Sequence, residues 1–247
     1  MDDQFLSQIE DAALNAWPVP REMLLDGWLL RFAKGYTKRA NSVNVRYESR
    51  RPLAEKIGLC EDIYDREGLL AIFRLPDPFT SKPLLDALDQ AGYQLFDPTF
   101  VLGREIAHFD SLPEAVTFAE MDQDAWIHLR AGLTHTSLAD WAVHQEILSV
   151  IVPQKGLMGV YVGEDPIACG MAVLEGALLG YFSIYVDEKF RKKGFGQATM
   201  NGLTNWGVAR GAEFGYLQVE GDNQPALALY KKMGFGKYYR YIYSKKK

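Results

Sequence analysis

Apolar residues recur at helical spacing through residues 5–16, and Pro18 and Pro20 close that segment, so the chain is expected to open with an amphipathic helix. Aromatic and β-branched content predicts strands over 27–32 and 42–48, on either side of a loop around Gly35. Residues 53–64 read as a helix, 69–75 as a strand, 82–91 as a helix and 93–104 as extended chain. The pattern then breaks near residue 110, where one aliphatic segment ends before another begins. This divides the chain into units of 1–110 and 111–247, both of ordinary domain size.

The second unit has the sharper periodicity. A strand is expected over 115–120 and helices over 123–133 and 138–150, the latter with an apolar face through Leu138, Trp141, Ile147 and Leu148. Strands at 157–162, 167–174 and 177–186 follow, separated by the turn signals Gly163-Glu-Asp-Pro166 and Glu175-Gly176, and predict an antiparallel meander. A glycine-bearing loop at 191–196, a helix to about Arg210, a strand over 213–220, a helix over 224–233 and an aromatic strand over 235–243 complete it. The order β-α-α-β-β-β-α-β-α-β specifies an α+β fold, a mixed twisted sheet with helices on both faces.

Composition narrows the class. The chain has 247 residues, 48% of them hydrophobic and 13% aromatic, which suits a packed globular protein. Its acidic, amphipathic start lacks the basic and apolar blocks of a secretory signal, and no apolar run reaches the roughly 18 residues of a membrane span; a soluble, cytoplasmic protein is expected. Cys60 and Cys169 stand far apart, and His108, His128, His135 and His144 form no H-E-x-x-H pattern, so no metal site is expected. The net charge of −5 conceals a division: residues 111–188 carry two basic against eleven acidic residues, and residues 189–247 twelve basic against three acidic. The basic last quarter favours a polyanion. With an acidic stretch beside it and no reading motif, a small phosphorylated molecule fits better than a nucleic acid.

The basic cluster carries a motif. Asp187-Glu-Lys-Phe-Arg191-Lys192-Lys193-Gly194-Phe195-Gly196-Gln197-Ala198 joins a strand end to a helix start, and its glycines permit successive N–H groups to converge on one phosphate. Taken alone, it could equally be a solvated basic loop. A dinucleotide G-x-G-x-x-G would need a third glycine where Thr199 stands, and G-x-x-x-x-G-K-[ST] is absent. What remains, R-x-x-G-x-G at Arg191, Gly194 and Gly196, resembles the pyrophosphate loop of the GNAT (Gcn5-related N-acetyltransferase) superfamily. Downstream, Leu217, Val219, Asn223, Ala226, Tyr230, Gly234 and Phe235 match that superfamily's L-x-V-x-x-x-N-x-x-A-x-x-x-Y-x-x-x-G-F register at every position. The resemblance covers about residues 115–247.

It implies the acyl-CoA N-acyltransferase fold, in which two parallel strands splay and the pantetheine arm pairs in the gap. Ile184, Tyr185 and Val186 would offer the freed main-chain groups and the N–H groups of Lys192 through Ala198 would receive the pyrophosphate. Asn223 and Ala226 would flank the arm, although Asn223 before Gln224-Pro225 is also a favoured helix cap. Tyr230 would be the general acid toward the leaving sulfur, a step that a lowered phenol pKa would ease; its alternative is plain core packing. Glu220 and Asp187 are candidate bases, with neither assigned. The implied activity is transfer of an acetyl group from acetyl-CoA, with no metal, to a small-molecule or peptide amine by direct attack in a ternary complex. A non-catalytic acyl-CoA-binding module is the alternative. No nucleic-acid or membrane partner is expected, and the protein would be a monomer or homodimer.

Sliding the chain by 142 residues aligns Leu85-Asp-Ala-Leu-Asp-Gln-Ala-Gly92-Tyr93 with Leu227-Ala-Leu-Tyr-Lys-Lys-Met-Gly234-Phe235, which suggests a tandem arrangement with a degenerate first copy. Leu88 then stands at the Tyr230 position and Ser81 at that of Asn223, so this copy should not catalyse. Asp26-Gly-Trp-Leu-Leu-Arg-Phe32 followed by Arg39-Ala-Asn-Ser-Val43 resembles bacterial GNAT proteins with such a degenerate first half. Its expected contribution is shape without chemistry, either covering the sheet of the active half or closing one side of the acceptor pocket. The acidic 111–188 segment hints at a cationic acceptor, although solvated helix faces account for it equally.

Overall fold

The computed structural model describes residues 3–109 and 116–246. The break expected near residue 110 and the expected strand start at Ala115 lie outside the described residues. Helix α1 (Asp3–Asn15) precedes strands β1 (Arg21–Leu25), β2 (Trp28–Phe32) and β3 (Val43–Val45), helix α2 (Leu53–Arg66), strand β4 (Phe73–Pro76), helix α3 (Lys82–Gln90) and the long strand β5 (Tyr93–Glu105). The second half comprises β6 (Val116–Glu120), α4 (Gln123–Thr134), α5 (Ala142–Ser149), the strands β7 (Gln154–Val162), β8 (Asp165–Glu175) and β9 (Leu178–Val186), α6 (Phe195–Val208), β10 (Phe214–Glu220), α7 (Gln224–Lys232) and β11 (Gly236–Lys246).

The eleven strands among the described residues join one sheet, in the order β1-β2-β3-β4-β11-β5-β10-β9-β8-β7-β6. β6 to β9 form the expected antiparallel meander, and only β3–β4 and β9–β10 pair in parallel. At the centre the halves interleave: β11 lies between β4 and β5, and β5 lies between β11 and β10. Each half thus completes its sheet with the other's last strand. The 142-residue shift carries the bounds of α2 onto those of α6 and the bounds of α3 onto those of α7, so the two halves repeat the same helix placement.

Alternation along the strands sends side chains to two cores. Met171 and Val173 of β8 pack with Ile9 of α1, Trp126 of α4 and Ile147 of α5, while Ala172 and Leu174 pack with Met200 and Leu203 of α6. The first half has its own cluster, in which Trp28, Leu30 and Phe73 meet Ile57 and Tyr64 of α2 and Leu84 of α3. A buried Arg74–Glu10 ion pair links β4 to α1, and Tyr239 of β11 donates to the same carboxylate at 2.6 Å. Both Glu10 oxygens accept hydrogen bonds within the protein, which offsets part of the cost of burying the carboxylate.

Local departures from the sequence reading have identifiable causes. β1 was not anticipated; it forms a hairpin with β2 through Asp26-Gly27, both at positive φ, as a type I′ turn demands. The strand expected over 42–48 stops at Val45 because the N–H groups of Arg46 and Tyr47 both turn back to the Gly27 carbonyl. The helix expected over 138–150 is a 3-10 turn, Leu138–Trp141, followed by α5. A capping box between Ser137 and Asp140 tightens that first turn.

Candidate active site

The parallel strands β9 and β10 pair only from Leu178 opposite Phe214 to Tyr181 opposite Leu217, although they continue to Val186 and Glu220. They part at a bulge. Ser183 adopts φ 52°, and the register of β9 on β8 shifts between Cys169 and Met171. Gly170 faces this bulge, and a Cβ there would stand 2.8 Å from Ile184 Cδ1. Arg130 of α4 holds the distortion: its Nη1 donates to the Ser183 carbonyl at 2.9 Å, and its guanidinium lies 4.7 Å from the centre of the Tyr185 ring. Arg191 approaches the same ring at 5.6 Å. Tyr185 and Val186 keep β8 on one edge, opposite Cys169 and Ala168, and no described strand pairs with the other.

The gap is a cleft of about 340 Å³. Ile184, Val219, Asn223, Ala226 and Tyr230 line it, and the first half adds Trp17, Thr37, Lys38, Arg39 and Thr99. At the exit of β9, the Asp187 carboxylate accepts the Lys189 N–H at 2.9 Å and starts a 3-10 turn. The loop then takes positive φ at Lys192 (61°) and Gly194 (87°) before α6 begins at Phe195. Among the described residues, no protein acceptor meets the N–H groups of Lys192, Lys193, Gly194, Phe195, Gly196 and Gln197. They stand at a helix N-terminus, where the partial positive charge favours an anion.

Two loop residues differ from the reading made of them. Ala198 is not a free donor, because its N–H already makes the first full-turn bond of α6, to the Gly194 carbonyl at 3.0 Å. Arg191 is turned onto its own loop: Nε donates to the Val186 carbonyl and Nη1 to Glu188, each at 3.1 Å. Lys192 and Lys193 remain exposed beside it.

Asn223 caps α7, its Oδ1 accepting the Ala226 N–H at 3.2 Å. The capping alternative therefore holds, yet the amide NH2 remains without a protein partner among the described residues, at the cleft wall. Tyr230 is 9% exposed, against Phe235 and in the cleft lining. Burial pushes its phenol up to about 12, opposite to the lowering that would ease proton donation. Of the two candidate bases, Glu220 borders the cleft, whereas Asp187 serves the turn.

The polar side chains from the first half were missed as chemistry, although Arg39 belongs to a quoted motif. The described acidic residues of 116–188 do not line the cleft; that segment supplies Tyr181, Phe182, Ser183 and Ile184. Asp122 and Asp140 cap helical turns, and Glu120, Glu146 and Glu188 meet Arg210, Lys34 and Arg191. In the first half, Ser81 makes no capping bond and Leu88 is a buried core residue.

The model of the family described as "Probable histone acetyltransferase Rv0428c C-terminal" matches residues 6–244. The chain is 30% identical over 240 residues to the uncharacterized N-acetyltransferase YobR of Bacillus subtilis, covering 95% of each. It is 26% identical to the probable histone acetyltransferase Rv0428c of Mycobacterium tuberculosis, over 92% of this chain and 69% of that one. In fold it resembles a GCN5-related N-acetyltransferase from Kribbella flavida, with a TM-score of 0.69 at 14% identity over 97% of this chain and 95% of that one. It also resembles a tandem GNAT protein from the clavulanic acid biosynthesis pathway, with a TM-score of 0.66 at 9% identity over 82% and 74%. The parted strands, the open helix start and the match over nearly the whole chain converge: this protein belongs to the Rv0428c C-terminal acetyltransferase family, within the GNAT superfamily of N-acetyltransferases.

Proposed function

We propose that the protein transfers an acetyl group from acetyl-CoA directly to an amine, both substrates being bound together. The observation that carries this reading is the order of the site: Ile184 on the parted strand β9 and the Tyr230 phenol share one cleft, and Gly196, among the open N–H groups at the start of α6, lies against Val186 at the end of the same strand and Leu229 beside Tyr230. In this reading the pantetheine arm pairs with the edge at Ile184, Tyr185 and Val186, and the Asn223 amide NH2 holds it from α7. The pyrophosphate accepts from the N–H groups of residues 192–197, with Lys192 and Lys193 supplying countercharge.

The amine lone pair attacks the thioester carbonyl carbon; a C–N bond forms, the C–S bond breaks, and sulfur leaves with the electron pair. The amine must shed a proton and sulfur must gain one. A phenol near 12 facing a thiol that ordinarily titrates near 8.5 makes full transfer uphill by roughly 3.5 units, about 5 kcal/mol. Tyr230 is therefore assigned hydrogen-bond donation to the charge developing on sulfur, which is strongest where water is excluded. Glu220, the one carboxylate among the described lining residues, is the candidate to receive the amine proton.

The test is a screen of amines with acetyl-CoA, following free thiol. Acceptor-dependent thiol release is expected. If acetyl-CoA raises the melting temperature while no acceptor increases thiol release, the chain is an acyl-CoA-binding module instead.

A further inference from the structure

The wall that the first half lends to the cleft carries more positive charge than the fold neutralises. Arg39 lies in a 3-10 turn, Lys38–Ala40, locked by Asn41. The Asn41 Oδ1 accepts the Ala33 and Gly35 N–H groups at 2.8 and 2.9 Å, and its Nδ2 donates to the Thr37 carbonyl at 2.9 Å. Arg31 Nη1 donates to the Arg39 carbonyl at 3.0 Å, so the backbone beneath this side chain is held from two directions. The guanidinium lies 5.6 Å from the centre of the Trp17 ring and 6.0 Å from that of Phe182, both in the cleft wall.

Among the described residues no carboxylate pairs with Arg39. The nearby acids are taken: Asp97 and Glu220 lie 2.5 and 3.5 Å from Lys38, and Glu10 pairs with Arg74. Two neighbouring donors, Arg39 Nε and Trp17 Nε1, are buried without an acceptor. Each such group costs about 1–3 kcal/mol while it stays unpaired. The surplus charge is also felt within the protein: burial first, then the fields of Arg74 and Arg39, hold the Arg31 guanidinium down to about 10 despite the opposing pull of Glu22.

We propose that Arg39 recognises the acceptor, and that the acceptor is a small amine carrying a carboxylate, seated with the carboxylate on the Arg39 guanidinium and the amine toward the thioester. This assignment rests on the transferase reading above. A planar fork of N–H donors suits a carboxylate in two-point contact. It disfavours a lysine side chain in a basic peptide, which would bring positive charge to Arg39 and Lys38.

The experiment pairs amino acids with their own carboxamides, which differ at the carboxylate, and adds a lysine-containing basic peptide. Binding is measured by calorimetry to protein saturated with a non-transferable thioether analogue of acetyl-CoA, and thiol release is followed with acetyl-CoA itself. The acids are expected to bind more tightly than the amides by roughly 10- to 100-fold, the usual range for a hydrogen bond to a charged group. That ratio should fall toward one in Arg39→Gln. Arg39→Lys, which keeps the charge but loses the fork, should retain part of it and serves if the glutamine variant does not fold. Amides or the basic peptide binding as tightly as the acids, or an acid preference that survives Arg39→Gln, would overturn the assignment. Acid-selective binding without thiol release would keep Arg39 and remove the transferase reading; equal thiol release from acids and amides would do the reverse.

Discussion

Tyr230 shows how a residue's surroundings revise the role its position suggests. The sequence register places a tyrosine where a sulfur-facing acid is expected, but desolvation favours the neutral phenol and moves it up to about 12. Tyr230→Phe is expected to lower kcat by roughly 10- to 100-fold, the range of a lost hydrogen bond to a developing charge, while leaving acetyl-CoA affinity nearly unchanged. Steady-state kinetics and calorimetry separate the two, and unchanged turnover would remove Tyr230 from the mechanism. The raised phenol also gives a pH dependence. Its protonated form persists well past pH 10, so the rate should rise with pH as the amine deprotonates and show no descending limb near 10. A limb there that vanishes in the Phe variant would contradict the assignment.

At the scale of elements, the termini of α6 and α7 bring the site together. Gly194 supplies the φ of 87° that lets the chain turn from the basic loop into α6, a conformation that a side chain would strain. In α7 the Asn223 side chain serves the helix through its oxygen and offers the cleft its NH2. Two substitutions separate these roles. Asn223→Asp keeps the cap acceptor and deletes the donor, so the melting temperature should stay near that of the parent while acetyl-CoA affinity falls. Asn223→Ala removes both and should cost about 1 kcal/mol of stability as well. Equal affinity in the parent and the Asp variant would leave Asn223 as a cap only.

Across the whole molecule, the interleaving of β4, β11, β5 and β10 makes the two halves mutually dependent. Expressed alone, residues 116–247 would leave β10 and β11 without β5 between them. This piece is expected to lack a cooperative thermal transition, while co-expression with residues 1–109 should yield a co-purifying, folded complex. A well-folded isolated piece would show that β5 is dispensable. His144 of α5 reports on the same junction: it is 2% exposed, its Nδ1 lies 3.0 Å from the Tyr36 hydroxyl, and its ring packs on Trp17. Burial, then Arg130, lowers it from an ordinary 6.5 to about 4. The unfolded chain therefore binds the proton first, and the stability contributed by neutral His144 is present above pH 6.5 and lost as pH falls toward 4. The loss should approach about 3 kcal/mol. Denaturant melts from pH 7 to 4 should steepen on this account and flatten in His144→Phe.

The sequence by itself determined the α+β class, the antiparallel meander, both helix-borne motifs and the repeat of helices at a 142-residue shift. These depend on periodicity, turn residues and local spacing, which act between near neighbours. It also located the loop whose N–H groups are left open at the start of α6, since glycine and basic residues in that order declare themselves. Tertiary structure alone decided what long-range pairing governs. That two strands part at Ser183 follows from a bulge held by Arg130 across a gap of 53 residues in sequence. That Lys38 and Arg39 enter the cleft follows from β5 and β11 crossing between halves, and no local pattern records which strand will lie beside which. Burial, which raises Tyr230 and lowers His144, depends on the packed core around each side chain, so the ionisation of these groups was decided only when the chain closed on itself.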